Sequence, residues 1–210
     1  MKLRRPGFAE KGPDLPLSSL GDAEIVCDRR IVGDYAAGAD LSAISFEKVV
    51  FEQCRFHGAG LSQCSFVDVA FNACDFSNCD LSAAYFARCE ITAVKGMGVD
   101  MTRCFFADTC FADSNFRFAN FDCAKFDKVV FAGCDLSETF LSNCVFKAIE
   151  FKETVFERTT ILHTSFNGID LSDCSVRDLV VSDGGQELRG LTVNMFQAAD
   201  LARLLGIIIK

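Results

Sequence analysis

The chain has 210 residues, 50% of them hydrophobic, with 29 acidic against 21 basic side chains and a net charge of −8. An acidic chain without a basic stripe is a poor candidate for direct nucleic-acid binding, and its longest apolar run is far below membrane-spanning length. No phosphate-binding glycine loop, Ser-His-Asp set or metal-ligand spacing occurs, so no catalytic, cofactor-binding or metal-binding residue and no small-molecule substrate is expected.

Residues 1–24 hold all three prolines and read as an irregular lead-in. Its start, Met1-Lys2-Leu3-Arg4-Arg5-Pro6-Gly7, is basic but lacks the apolar segment of a secretory signal, and the expected location is the cytoplasm. Residues 25–38 carry a worn repeat through Val26, Ile31 and Ala36. From Leu41 to Val181 every fifth residue is large and apolar, Gly96 being the one exception in 29 positions, and 17 of the 22 Phe stand in this register. Two residues before each of these stands a compact side chain, from Ala39, Ile44, Val49 and Cys54 on to Leu179.

A five-residue period fits neither a helix at 3.6 nor a strand at 2. It requires a solenoid that turns a corner every five residues, with residues i and i−2 both pointing inward. A second period of 20 places Phe at 46, 66, 86, 106, 126, 146 and 166, so four sides make one coil and rings stack up a wall. The predicted fold is an all-β quadrilateral parallel β-helix over residues 25–193, roughly 34 Å long for seven full coils at ~4.8 Å per coil. Gly96 leaves a hole in one column, and an irregularity is expected around Val94–Val99.

Nine of the 12 cysteines (54, 64, 74, 79, 89, 104, 134, 144 and 174) occupy the i−2 position, interchangeable with Ala, Val and Thr. They read as small buried hydrophobes in a reducing compartment. Cys110 and Cys123 fall outside the inward register and are expected to be the first thiols to react.

After Val181 the register slips at Ser182-Asp183-Gly184-Gly185, and residues 194–210 are expected to form a terminal helix and strand. Asn194 is a good N-cap, with Gln197 three residues on. The helix runs to Leu205, Gly206 stops it, and Ile207-Ile208-Ile209 suggests a short strand. Inside it only Gln197, Asp200 and Arg203 are polar, which leaves more apolar circumference than one contact surface needs. The element is therefore read as both the cap of the rod and a homodimer contact through Phe196, Leu201, Leu204, Leu205, Ile207, Ile208 and Ile209.

Charge is not spread evenly. The side centred on 51, 71 and so on to 171 carries Glu52, Glu90, Asp113, Glu150, Glu153, Asp170 and Asp173 against Lys152 alone. The side centred on 41 to 161 carries Asp40, Asp80, Asp100 and Asp122 against Arg103, and the other two sides balance to within one charge. Segregated charge of this size can steer a basic partner; it can equally keep an apolar-cored rod in solution.

The tandem pattern in Ala39-Asp40-Leu41-Ser42, Cys79-Asp80-Leu81-Ser82 and Ala119-Asn120-Phe121 resembles the pentapeptide-repeat family, which implies a right-handed quadrilateral β-helix. The end, Leu188-Arg189-Gly190-Leu191-Thr192-Val193-Asn194-Met195-Phe196-Gln197-Ala198-Ala199-Asp200-Leu201-Ala202-Arg203-Leu204-Leu205-Gly206-Ile207-Ile208, resembles the C-terminal cap of the Qnr-type and mycobacterial fluoroquinolone-resistance branch. That resemblance implies tail-to-tail pairing and a DNA-mimicking protein that binds DNA gyrase or topoisomerase IV. The loops that bulge from two coils of Qnr-type members have no counterpart here, and the mycobacterial branch also works without them. A reading from another class is a structural or scaffolding solenoid with no topoisomerase partner.

Overall fold

The repeat turns most of its corners by placing the residue two after the inward one in the left-handed backbone region. Among the described residues 23 non-glycine side chains do so, from Asp28, Ala43 and Lys48 to Asp178. This conformation costs an L-residue about 1–2 kcal/mol, so something regular must offset it. Coil-to-coil hydrogen bonds do: Phe56 N–H donates to Asp75 O at 2.8 Å and Asp75 N–H to Cys54 O at 2.9 Å, and the pattern recurs up the rod. On the tighter sides an Asp or Asn just before the inward residue also accepts the amide two residues on, as Asp40 does from Ser42 at 3.0 Å and Asp80 from Ser82 at 2.8 Å.

The computed structural model describes residues 1–4, 6, 7, 17, 20, 25–204 and 206–209. Its strands are β1 (Ile25–Val32), β2 (Ser45–Glu52), β3 (Ser65–Val67), β4 (Ala70–Asn72), β5 (Tyr85–Ala87), β6 (Glu90–Thr92), β7 (Phe105–Ala112), β8 (Lys125–Ala132), β9 (Val145–Lys152), β10 (Val155–Glu157) and β11 (Ser175–Arg177). All pairings among them are parallel, and Phe46, Phe66, Phe86, Phe106, Phe126 and Phe146 are register partners at the predicted 20-residue spacing. The longer strands wrap two sides of the coil around one left-handed corner, as β2 does at Lys48. The fold is the expected parallel β-solenoid with one short C-terminal helix.

Rings fill the interior as the 20-residue period predicts. Phe46–Phe66, Phe66–Phe86, Phe86–Phe106 and Phe106–Phe126 stack with centroids 4.8–5.2 Å apart, and Phe51–Phe71 and Phe111–Phe131 continue this on the next wall. The i−2 residues share a role beyond size. Cys64, Cys104 and Cys144 donate Sγ–H to the carbonyls of Leu41, Leu81 and Phe121 at 3.0–3.1 Å, and Thr154 and Thr164 make the equivalent bonds to Phe131 and Leu141. A small side chain with one donor suits this site, which explains why Cys and Thr alternate there.

The irregularity expected at Val94–Val99 is not there. Val94 and Val99 are buried, Gly96 N–H donates to Asn115 O at 2.7 Å, and the ring of Phe116 lies over the glycine. A neighbouring ring has taken the room that a side chain at position 96 would need. Disorder of the pattern falls instead between β9 and residues 165–173. The β8–β9 register shifts at Asp127↔Ala148, and Phe126–Phe146 turns edge-on at 73°. Beyond β9, residues 165–169 adopt a tight turn with Gly168 at φ 78, whose shape does not match the broad strand below. Two clefts of about 530 and 390 Å³ open along that seam, and Phe146 and Ile149 are only partly buried.

The end of the rod is closed by a register change. Asp170 bridges Thr192, an offset of 22 made by the short 3-10 helix Gln186–Leu188. Glu187 of that turn is buried and its carboxylate accepts the backbone amides of His163 at 2.9 Å and Ser182 at 3.3 Å. Burial pushes its carboxyl up, but these bonds outweigh the burial and leave it below the usual range. Helix α1 (Met195–Leu204) begins on the predicted capping box: Asn194 Oδ1 accepts the Phe196 and Gln197 amides at 3.0 Å, and Gln197 Oε1 accepts Asn194 N–H at 2.7 Å. Ile207–Ile209 form no strand, and position 205 lies outside the described residues.

Candidate interaction surfaces

The ladder register fixes how the predicted acidic side is built. Glu90 and Glu150 belong to one column with Val50, Ala70, Cys110 and Val130, while Glu52 and Lys152 belong to the column two residues on. At ~4.8 Å per coil, Glu90 and Glu150 stand roughly 14 Å apart along the rod. Asp113 and Glu153 sit at left-handed corners of the same side and are exposed, as are Asp170 and Asp173. Among the described residues, ion pairs engage only two of these seven acids: Arg30 with Glu52 at 2.7 Å, and the Met1 α-amino group and Lys152 with Glu150. Asp170 is a turn cap, accepting the Ser172 amide at 2.9 Å, and the Ser172 hydrogen bonds hold its carboxyl below the usual range.

The two balanced sides are different. Arg88 grips Asp68 through two bonds at 2.7 and 2.6 Å, Lys147 meets Asp127 at 2.7 Å, and Arg117, Arg158, Glu138 and Glu157 form a network. Their charge is neutralised locally, and such exposed pairs contribute only about 0–1 kcal/mol each. On the side centred on 41, Asp40, Asp80 and Asp100 are used as turn caps, so their placement is a requirement of the fold. The side centred on 51 to 171 is where acidic charge exceeds what the turns and ion pairs use.

The C-terminal element is split by the structure. Gln197 is the buried residue of α1, and its Nε2 donates to the carbonyls of Leu171 and Cys174 at 2.8 and 2.6 Å, so it clamps the helix onto the last coil. One member of the polar stripe therefore faces the last coil rather than solvent. Leu201 packs on the core, whereas Phe196 is 79% exposed, Ile208 86%, and Leu204, Ile207 and Ile209 are exposed as well. Met195, which periodicity did not single out, is 79% exposed beside Phe196. Leu205 lies outside the described residues.

The lead-in supplies an unexpected contact. Residues 1–4, 6 and 7 lie lengthwise along the rod at the corner next to the acidic side. Gly7 N–H donates to Asp68 Oδ1 and Arg4 N–H to Asp108 Oδ1, both at 3.3 Å, while the Met1 α-amino group reaches Glu150. Met1, Lys2, Leu3, Arg4 and Pro6 enclose a groove with Cys89, Glu90, Asp108 and Cys110. Cys110 is thus only partly accessible; Cys27 and Cys123 are the exposed thiols, and Cys27 had been concealed by the worn first repeat. The nine i−2 cysteines are all buried, and burial pushes Cys79, Cys89 and Cys144 up to about 12.

No helix among the described residues is long and apolar enough to cross a membrane. No curated protein sequence matches the chain. Among solved structures it is similar to QnrB1, a plasmid-mediated fluoroquinolone resistance protein, at 20% identity over 97% of this chain and 99% of that one, with a TM-score of 0.44. It is also similar to HetL, a pentapeptide-repeat protein involved in heterocyst differentiation regulation in the cyanobacterium Nostoc sp. strain PCC 7120, at 11% identity over 80% and 86% of the two chains and a TM-score of 0.32. The family description "Pentapeptide repeats" matches eight copies over residues 37–72, 64–106 and 109–147, more than half of the sequence. The chain belongs to the pentapeptide-repeat family.

Proposed function

We propose that the protein acts by binding, without catalysis, as a cytoplasmic homodimer joined through its C-terminal element, and that it modulates a type II topoisomerase, DNA gyrase or topoisomerase IV, with resistance to gyrase-targeting drugs as a consequence. The observation that carries this reading is the side of the rod bearing Glu52, Glu90, Asp113, Glu150, Glu153, Asp170 and Asp173, where ion pairs among the described residues leave most carboxylates uncompensated. A basic cleft that normally receives duplex DNA is a surface such a side fits. Duplex DNA carries one charge per about 1.7 Å, on the order of 20 over ~34 Å, so the rod offers a diluted version of that field. The match needs the doubled length of a tail-to-tail dimer, and Phe196, Ile207, Ile208 and Ile209 supply an exposed apolar end for one. The terminal sequence resembling the fluoroquinolone-resistance branch supports the same partner.

Purified protein should inhibit gyrase supercoiling, or alter drug-stabilised cleavage, at low micromolar concentration. Absence of any effect on gyrase and on topoisomerase IV would leave the scaffolding solenoid as the better account.

A further inference from the structure

The N-terminal segment meets the rod in a way that suits extended chain. Gly7 bonds to Asp68 and Arg4 to Asp108, and these carboxylates are two coils apart. An extended chain advances about 10 Å in three residues, and two coils rise roughly the same at ~4.8 Å each. The next three residues bring Met1 to Glu150, again two coils on. The amides of Gly7 and Arg4 and the α-amino group of Met1 therefore meet carboxylates on every second coil, and Lys2 and Arg4 line the groove that holds Glu90 and Cys110. This is a track for a basic, extended peptide, read through its main chain and its charge.

We propose that this corner is a docking track for an extended basic segment of the partner, and that residues 1–4, 6 and 7 occupy it in the free protein as a displaceable pseudo-ligand. The proposal rests on the reading of the adjacent acidic side as a partner surface. A tethered segment competes at an effective concentration in the millimolar range, so a partner segment must displace it and binds more weakly than the track alone would allow. The strap also covers Glu90 and pairs with Glu150, the part of the acidic side that it crosses.

The test uses the full chain and a fluorescent peptide with the sequence of residues 1–7. Lys2→Gln with Arg4→Gln loosens the strap; Arg103→Gln with Lys125→Gln makes the same change in net charge on other sides. A thiol reagent reports strap occupancy directly, because Cys110 lies beneath the segment while Cys123 is exposed. In wild type, raising salt to ~0.5 M should speed labelling of Cys110 relative to Cys123 about fivefold through screening, and the strap variant should label fast at low salt. The peptide should bind the strap variant roughly tenfold tighter than wild type as the intramolecular competitor weakens, with little change in the control pair. Asp108→Asn should separate the two readouts: faster Cys110 labelling but weaker peptide binding. Equal peptide affinity for wild type and the strap variant overturns the proposal while leaving the acidic surface standing, and so does Cys110 labelling that ignores both salt and the substitutions. If no variant binds the peptide at all, the acidic-surface reading fails and the proposal with it.

Discussion

Gly96 offers a sharp test of how the coils interlock. Its backbone lies outside the left-handed region, so alanine is conformationally allowed, and on backbone entropy alone Gly96→Ala would stabilise by about 0.4–1 kcal/mol. A Cβ built there, however, falls 2.5 Å from Cδ1 and 2.6 Å from Cε1 of Phe116, whose ring is fully buried. Ordinary contact needs roughly 1 Å more, and the stacked walls leave the ring little room to retreat. Overpacking of this kind costs typically ~1–3 kcal/mol, so the net expectation is destabilisation by about 1–2 kcal/mol, or roughly 2–8 °C in Tm for a chain of this length. The assay is thermal or urea unfolding of a double-mutant cycle. Phe116→Leu should destabilise alone, and in its presence Gly96→Ala should become neutral or stabilising, because the obstructing ring is gone. A stabilising Gly96→Ala in the wild-type background would refute the interlock.

The raised thiols make an alkaline prediction. Cys64 and Cys134 are pushed up by burial to about 11, and Cys79, Cys89, Cys144 and Cys174 to about 12. The unfolded chain loses these protons first, so stability present below pH ~9 should fall as pH rises toward 11–12, by about 1.4 kcal/mol per unit for each thiol; urea midpoints at pH 8 and 10 that coincide would contradict it. Along the seam above β9, amide hydrogen exchange of residues 146–152 should be faster than that of the matching residues of β8, which are paired on both sides; equal protection would mean the clefts close in solution. Light scattering should give about twice the 23.0 kDa chain mass, and Phe196→Asp with Ile208→Asp should halve it without altering the solenoid's circular dichroism. A monomeric wild type would remove the dimer.

Most of the solenoid was legible because its signal is redundant: each column repeats the same inward side chain, and one substitution such as Gly96 barely weakens the pattern. What was misread involves choices that periodicity does not encode. The hole at Gly96 was filled by a ring from the next coil, a packing outcome that depends on the rotamer of Phe116 rather than on position 96. Gln197 counted as polar on a helical wheel, yet two carbonyls left open by the last coil draw it inward. Residues 1–7 carry no repeat at all, and the contacts of Gly7, Arg4 and Met1 with Asp68, Asp108 and Glu150 are made by main-chain nitrogen atoms, which no local pattern records. The 20-residue period assigns carboxylates to columns, and the ladder pairs place Glu52, Glu90 and Glu150 accordingly. Which of those carboxylates the turns and ion pairs already use depends on the folded chain and not on the period, as with Asp170 capping Ser172 and Glu52 held by Arg30.

The central claim is that the acidic side is the surface through which the rod acts. Glu90, Asp113, Glu153 and Asp173 can be reversed to Lys without removing a turn cap, and Lys48 and Lys128 already occupy left-handed corners equivalent to those of Asp113 and Glu153. The most direct measurement is gyrase supercoiling in the presence of wild type and this four-Lys variant, each shown by circular dichroism to be folded. The account predicts inhibition by wild type that weakens steeply with salt, since exposed charges are screened within ~8 Å at physiological ionic strength, and no inhibition by the variant. Inhibition of equal strength by both proteins would contradict it.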